Sequence, residues 1–261
     1  MKFKTKKRER ILKNMVELNL SKEQSLINLD LRKKEVENIV MGIPQLSNIT
    51  SRVALVLDFS GSMRNLYKNG TVQSVIERIM PIAMQFDDNQ ELDLWIFENG
   101  FTRLGGVTKE NFYGLANNIF NQYSMGGTEY APVMNDVYKK YIKENPANIA
   151  NYVIFITDGD NSDRGNTNKI ITEASKYPIF WQFVGIGDDS FSYLQKLDDM
   201  DGRYVDNADF FPIYDINNIT DNELYTKLFD EYPGWLSNPK VQEMIASQGK
   251  SKGFFGGLFG R

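Results

Sequence analysis

The sequence predicts an α/β fold: a doubly wound, mostly parallel sheet flanked by helices, with a helical N-terminal leader. Three observations predict it. Residues 53–57 and 152–156 are short continuous apolar runs, the composition of strands covered on both faces, and 179–184 reads as a third such strand. Between the first two runs, and again after the third, apolar residues fall at helical spacing, and strands alternating with helices imply right-handed crossovers. Each run ends in a polar or glycine-rich turn, at the carboxyl edge where such sheets bind ligands: Asp58, Thr157-Asp158-Gly159 and Gly185-Ile186-Gly187.

Composition supports one sizeable domain with short appendages, since 41% of the 261 residues are hydrophobic and 13% aromatic. A net charge of −4 argues against a nucleic-acid-binding surface. Cysteine and histidine are both absent, which excludes disulfides, a thiolate nucleophile, a Ser-His pair and any Cys- or His-based metal site. A metal must then be held by oxygen, which favours Mg²⁺, with Mn²⁺ or Ca²⁺ as alternatives.

The leader, residues 1–49, begins with seven Lys/Arg against one Glu between Lys2 and Lys13, the composition of a solvated helical arm or, alternatively, of a basic patch for an acidic partner or membrane surface. It lacks the apolar core of a signal peptide, and no later run is long enough to span a bilayer, so an integral membrane segment is not expected and a cytoplasmic location is. The triplets starting at Asn48, Asn69 and Asn218 are then chance sequons. A capping box at Ser21-Lys-Glu-Gln predicts that a second helix starts there, and Gly42 and Pro44 close the leader.

The main domain is assigned to residues 50–220. After the first strand, residues 71–86 have helical spacing, with Pro81 expected to kink or split the helix. Residues 92–97 are the next strand and 101–104 a short antiparallel neighbour. Helices are expected over 109–120, 132–142 and 191–197, and a last strand over 203–205. Trp95, Trp181 and Phe183 lie in strand runs and belong to the core, whereas Trp235, between Gly234 and Leu236, is a candidate for exposure. Residues 221–248 form a helical extension, and 249–261 a tail rich in Gly and Phe, which reads either as a disordered end or as an aromatic peptide that docks into a groove on a partner or on a neighbouring copy.

The chemistry gathers at the strand ends. The first strand delivers Asp58, Ser60 and Ser62 at alternate positions in a turn eased by Gly61. The 152–156 strand delivers Asp158, and Gly126-Gly127-Thr128 supplies a hydroxyl from a loop leading into a helix. Two carboxylates balance one M²⁺, leaving the site able to accept another anionic oxygen.

Asp-x-Ser-x-Ser after a first strand, a later loop Thr, and Thr-Asp-Gly after a fourth core strand resemble the metal-ion-dependent adhesion site (MIDAS) of von Willebrand factor A (vWA) domains. All five ligand positions match, as Asp58, Ser60, Ser62, Thr128 and Asp158. The stretches 57–70, 180–187 and 221–225 are similar to the vWA domains of bacterial tellurium-resistance and stress-response clusters (TerF/TerY-like), over about residues 50–236. Phe59 departs from that pattern, where a charged residue is frequent. The resemblance implies a protein-binding module without catalysis. The two Asp would act on Mg²⁺ largely through water and the three hydroxyls more directly, and a partner's Asp or Glu would fill the open position. It implies a rim of Phe59, Met63, Gly127, Glu129 and Asp160, and membership of a stress assembly, with a peripheral association at the inner membrane face as a further implication.

Rival readings are weaker. A haloacid-dehalogenase-type phosphatase needs a second carboxylate where Ser60 stands. No Gly-x-x-x-x-Gly-Lys-Ser/Thr loop exists for a nucleotide, and Gly185-Ile186-Gly187 reads as a tight turn. Residues 158–163 and 198–202 alternate oxygen side chains without the full pattern of a calcium loop, and read as solvated turns. A vWA fold with a vestigial metal site is the remaining alternative.

Overall fold

A computed structural model describes residues 2–248, with side chains from Ser21 onward; the Gly/Phe tail lies outside the described residues, as do the side chains of the basic arm. The chain opens with α1 (Lys2–Met41), followed by a 3₁₀ turn at Pro44–Leu46. The sheet comprises β1 (Ser51–Asp58), β2 (Leu92–Phe97), β3 (Phe101–Val107), β4 (Ala150–Thr157), β5 (Ile179–Ile186) and β6 (Ala208–Ile213). Its order is β3-β2-β1-β4-β5-β6; β3 runs antiparallel to β2 and every other pair is parallel.

This is the doubly wound sheet expected. Strand order reverses between β1 and β4, so the crevice at a topological switch point opens where Asp58 and Asp158 emerge. The two-residue period of the strands sends Leu55, Leu57, Ile154 and Ile156 to one apolar layer and Val56, Val153 and Phe155 to the other. Both layers are covered. On the first lie α2 (Arg64–Lys68), α3 (Thr71–Phe86), α4 (Leu115–Gln122), α8 (Asp221–Leu228), α9 (Tyr232–Leu236) and α10 (Pro239–Gln248); on the second lie α5 (Ala131–Tyr138), α6 (Arg164–Ala174) and α7 (Ser192–Asp198).

Several elements differ from expectation, each for a physical reason. The leader is one helix, because Ser21-Lys-Glu-Gln is helix-compatible and no break precedes it to make a cap. Its later half packs on α3 and α8: Leu29, Val36 and Val40 are buried, and Arg32 pairs with Glu77 (3.7 Å) and Asp221 (3.1 Å). Pro81 does not break α3, whose neighbours Ile79, Met80, Ile82 and Ala83 are all buried. Packing on both flanks outweighs the roughly 3 kcal/mol a helical proline costs. The helix expected from 109 begins only at Leu115, after Gly114 in a left-handed conformation (φ 74°). The helix α5 continues beyond Tyr138 as a π turn, Lys139–Glu144.

The last strand is β6, not 203–205: Arg203 instead turns inward, donating to the Met200 carbonyl (2.9 Å) and pairing with Asp206 (2.8 Å). Pro212 weakens the strand signal of 208–213, and the structure tolerates it because β6 is an edge strand. The helix α6 was hidden by its polar composition, with only Thr167, Ile171 and Ala174 buried. Trp235 is buried too, against Phe180 (5.4 Å between ring centroids) and Tyr232 (5.7 Å).

Candidate metal centre

Asp58 ends β1 and is fully buried. One of its oxygens accepts from the Ser60 backbone N–H (2.7 Å) and the other from Thr157 Oγ1 (2.7 Å). The alternate spacing of Ser60 and Ser62 brings their hydroxyls to 3.0 Å of one another, and Ser62 Oγ donates to Asp158 Oδ1 (2.9 Å). A continuous polar chain therefore joins the turn after β1 to the turn after β4. Four of the expected metal-site residues, Asp58, Ser60, Ser62 and Asp158, belong to it.

Thr128 reaches the same edge through its loop. Ser60 bridges to Gly126, Gly61 N–H donates to the Gly126 carbonyl (3.0 Å), and Gly127 N–H donates to Asn99 Oδ1 (2.7 Å). Gly126 and Gly127 lie so close to Glu98 and Asn99 that a Cβ would stand 2.5 and 2.8 Å from their side chains. Here glycine answers a close approach. From the other side, Ser162 N–H donates to the Thr128 carbonyl (2.9 Å), and the Asp163 carboxylate accepts from Tyr130 and Ala131 N–H (2.9 Å each). The 158–163 segment is thus a clamp: Asp163 is spent on the Thr128 loop and on Thr167, while Asp160 pairs with Arg164. Gly185-Ile186-Gly187 is a packing turn, with the Phe191 ring 2.6 Å from where a Gly185 Cβ would sit and Gly187 at φ 115°.

Burial pushes the Asp58 carboxyl up to about 6, against the opposing hydrogen bonds of Ser60 and Thr157, and Asp158 adds repulsion. Asp158 is raised as well, first by burial and further by Asp189. Among the described residues neither carboxylate has an ion-pair partner. A desolvated carboxylate without a countercharge, joined by hydroxyls to a second carboxylate, fits a hard divalent cation in donor type and charge.

Two rim expectations are overturned. Phe59 is buried and packs edge-on to Tyr67 (5.0 Å), and Met63 is fully buried, because the turn after β1 folds its apolar residues back under the site. Gly127, Glu129 and Asp160 do stand at the edge, with Gly127 and Asp160 exposed. Sequence reasoning missed the supports. Tyr67 Oη donates to the Asp58 carbonyl (3.2 Å), and Tyr130 Oη donates to Thr157 Oγ1 (3.1 Å). Thr157 was visible as the first residue of Thr-Asp-Gly; nothing local marks either tyrosine. It also missed that Asp198 gathers with Asp209 and Glu231, carboxylate oxygens within 4.8 Å of one another.

The sheet, its switch point and this edge define a vWA domain. Residues 50–245 match the vWA-TerF-like family, described as the vWA found in the TerF C terminus, and the chain belongs to it. The chain is 44% identical over 246 residues to YcbR of Bacillus subtilis (strain 168), covering 90% of this chain and 100% of YcbR. Solved structures with a similar fold include the ArnB paralog VWA2 from Sulfolobus acidocaldarius (15% identity, TM-score 0.44, covering 69% of this chain and 45% of that one). Others are the SpRpn10 VWA domain (13%, 0.47, 74% and 98%) and mussel byssus proximal thread matrix protein 1 with a zinc-occupied MIDAS motif (14%, 0.45, 76% and 47%). The chain spans less than half the length of the Sulfolobus and mussel chains.

Proposed function

We propose that this vWA chain is a non-catalytic protein-binding module that grips a partner's Asp or Glu through a divalent ion, Mg²⁺ in the first instance. The observation that carries the reading is Asp58, fully buried and without a countercharge, connected through Ser60 and Ser62 to Asp158. Asp58, Ser60, Ser62, Thr128 and Asp158 would hold the ion, and a bound ion supplies a Lewis-acidic position for one anionic oxygen. The protein's own part is orientation. Thr157 and Ser60 N–H fix the Asp58 carboxylate, Ser62 fixes Asp158, and Asp163 with Ser162 fixes the Thr128 loop. Hydrogen bonds that hold metal ligands in place in this way typically govern metal affinity 10- to 100-fold.

Absence of histidine and cysteine removes the usual general bases and nucleophiles, and Ser60 occupies the position where a dehalogenase-type phosphatase carries its acid. Mn²⁺ or Ca²⁺ satisfies the same oxygen donors. Family membership supports a place in a tellurium-resistance or stress-response assembly inside the cell. No helix among the described residues is long and apolar enough to cross a membrane.

Co-purification from the native host tests the proposal, comparing wild type in Mg²⁺, wild type in EDTA and Thr128→Ala in Mg²⁺. A partner recovered only in the first sample is the expected result. Equal recovery in all three contradicts a metal-bridged grip and leaves a vWA fold with a vestigial site.

A further inference from the structure

The loops at the carboxyl ends of the strands share one feature of charge. Residues 59–63, 98–100, 123–130, 158–163, 187–191 and 214–220 contain no lysine or arginine, yet they carry Glu98, Glu129, Asp160, Asp163, Asp188, Asp189 and Asp215 besides Asp158. The cluster is spatial as well as sequential. The Glu98 carboxylate lies 2.5 Å from where a Gly126 Cβ would be, and that of Asp189 lies 3.3 Å from a Gly159 Cβ. Nearby, Arg164 is already paired with Asp160. Arg64, exposed and bonded through its backbone N–H to the Gly61 carbonyl, is the cation next to the turn after β1; the other loops of the edge present acids alone, so on their side residues flanking an approaching carboxylate gain from positive charge.

The edge continues into a groove between α5 and α6, with a volume of about 480 Å³, lined by Glu129, Pro132, Asn135, Asn166, Lys169 and Ile170 among others. It starts beside the site, since Glu129 follows Thr128. The side chains of Glu129, Asn135, Asn166 and Lys169 have no hydrogen-bond or ion-pair partner among the described residues. Apolar walls of Pro132 and Ile170 bearing two free amides fit an extended backbone, and Glu129 at the mouth fits a cation.

Taking the metal-gripping reading as its basis, we infer that the partner contributes an extended segment in which one Asp or Glu is flanked by Lys or Arg, running from the metal edge past Glu129 into the α5–α6 groove. The ion then sets the sign of recognition: without it the acids of the edge disfavour the anchoring carboxylate.

Selection of a displayed random peptide library on the full chain in Mg²⁺, repeated in EDTA and on Glu129→Lys, tests this. The expected outcome is a fixed Asp or Glu with Lys/Arg enriched several-fold in its flanks, lost in EDTA. Glu129→Lys should remove the basic preference on one side, and binding of a selected synthetic peptide to the wild type should weaken several-fold between 50 and 500 mM salt, roughly as screening requires. A fixed Asp or Glu with neutral flanks, or salt-insensitive binding, overturns the inference and leaves the metal reading standing. No Mg²⁺-dependent Asp or Glu overturns both.

Discussion

Two groups of carboxylates are built from the same residue type and behave differently. At the crevice between β1 and β4, Asp58 and Asp158 alternate with hydroxyls, and every link between them is a hydrogen bond from Ser60, Ser62 or Thr157. Beside the edge strand β6, Asp198, Asp209 and Glu231 face one another directly, and the Gln182 amide donates into the group, to Asp209 (2.8 Å). Burial and mutual repulsion push Asp198 and Glu231 up to about 7, with Arg203 opposing the shift at Glu231. Bare carboxylates resolve their repulsion by keeping protons. Interleaved with neutral oxygen donors and anchored by surrounding loops, they offer an ion a mixed set of ligands. Spacing of hydroxyls, more than density of acid, separates a site from a cluster.

The largest expected effect is on the stability of the metal-free protein. Asp58 has a folded pKa of about 6, above its ordinary value near 4. Its folded form therefore binds the proton more tightly, and this stabilising contribution is lost as pH rises from about 4 through 6. At pH 8 in EDTA the ionised group costs about 3 kcal/mol, at roughly 1.4 kcal/mol per unit. Asp58→Asn should recover part of it, raising the Tm in EDTA while abolishing any response to Mg²⁺; a lower Tm in EDTA would contradict this. Next, Mg²⁺ at a hundredfold excess over its Kd should stabilise the wild type by about 2.7 kcal/mol, measured by urea unfolding at pH 8. Thr128→Ala should weaken Mg²⁺ binding by about tenfold or more, on the scale of metal-site perturbations, as read by calorimetry.

The smallest effect belongs to the β6 group. Asp198 and Glu231, raised to about 7, favour the folded state at low pH and lose that contribution as pH climbs through 7. Both remain partly in water, so the change should stay below about 1 kcal/mol. Asp209→Asn should flatten the decline in Tm between pH 5 and 8; an unchanged slope would show that the three carboxylates are not coupled.

The sequence made the sheet and the polar ends of its strands legible because both depend on local patterns. Apolar runs such as 152–156 identify buried strands without knowledge of their neighbours. The ligand types at Asp58, Ser60, Ser62, Thr128 and Asp158 were equally visible. Illegible features were those settled by distant packing. Phe59 and Met63 look like rim residues until the turn folds beneath the site, and Pro81 looks like a break until both flanks of α3 are buried. Asp198, Asp209 and Glu231 come together only because α7, β6 and the start of α9 converge. The clamp by Asp163, an acid that reads as a solvated turn, is tertiary as well.

Calorimetric titration of the purified chain with Mg²⁺ at pH 8, alongside Asp58→Asn and Asp209→Asn, tests the central claim most directly. One site per chain, absent in Asp58→Asn and retained in Asp209→Asn, is the predicted result. Binding that survives Asp58→Asn and disappears in Asp209→Asn would place the ion at the β6 group and contradict the account.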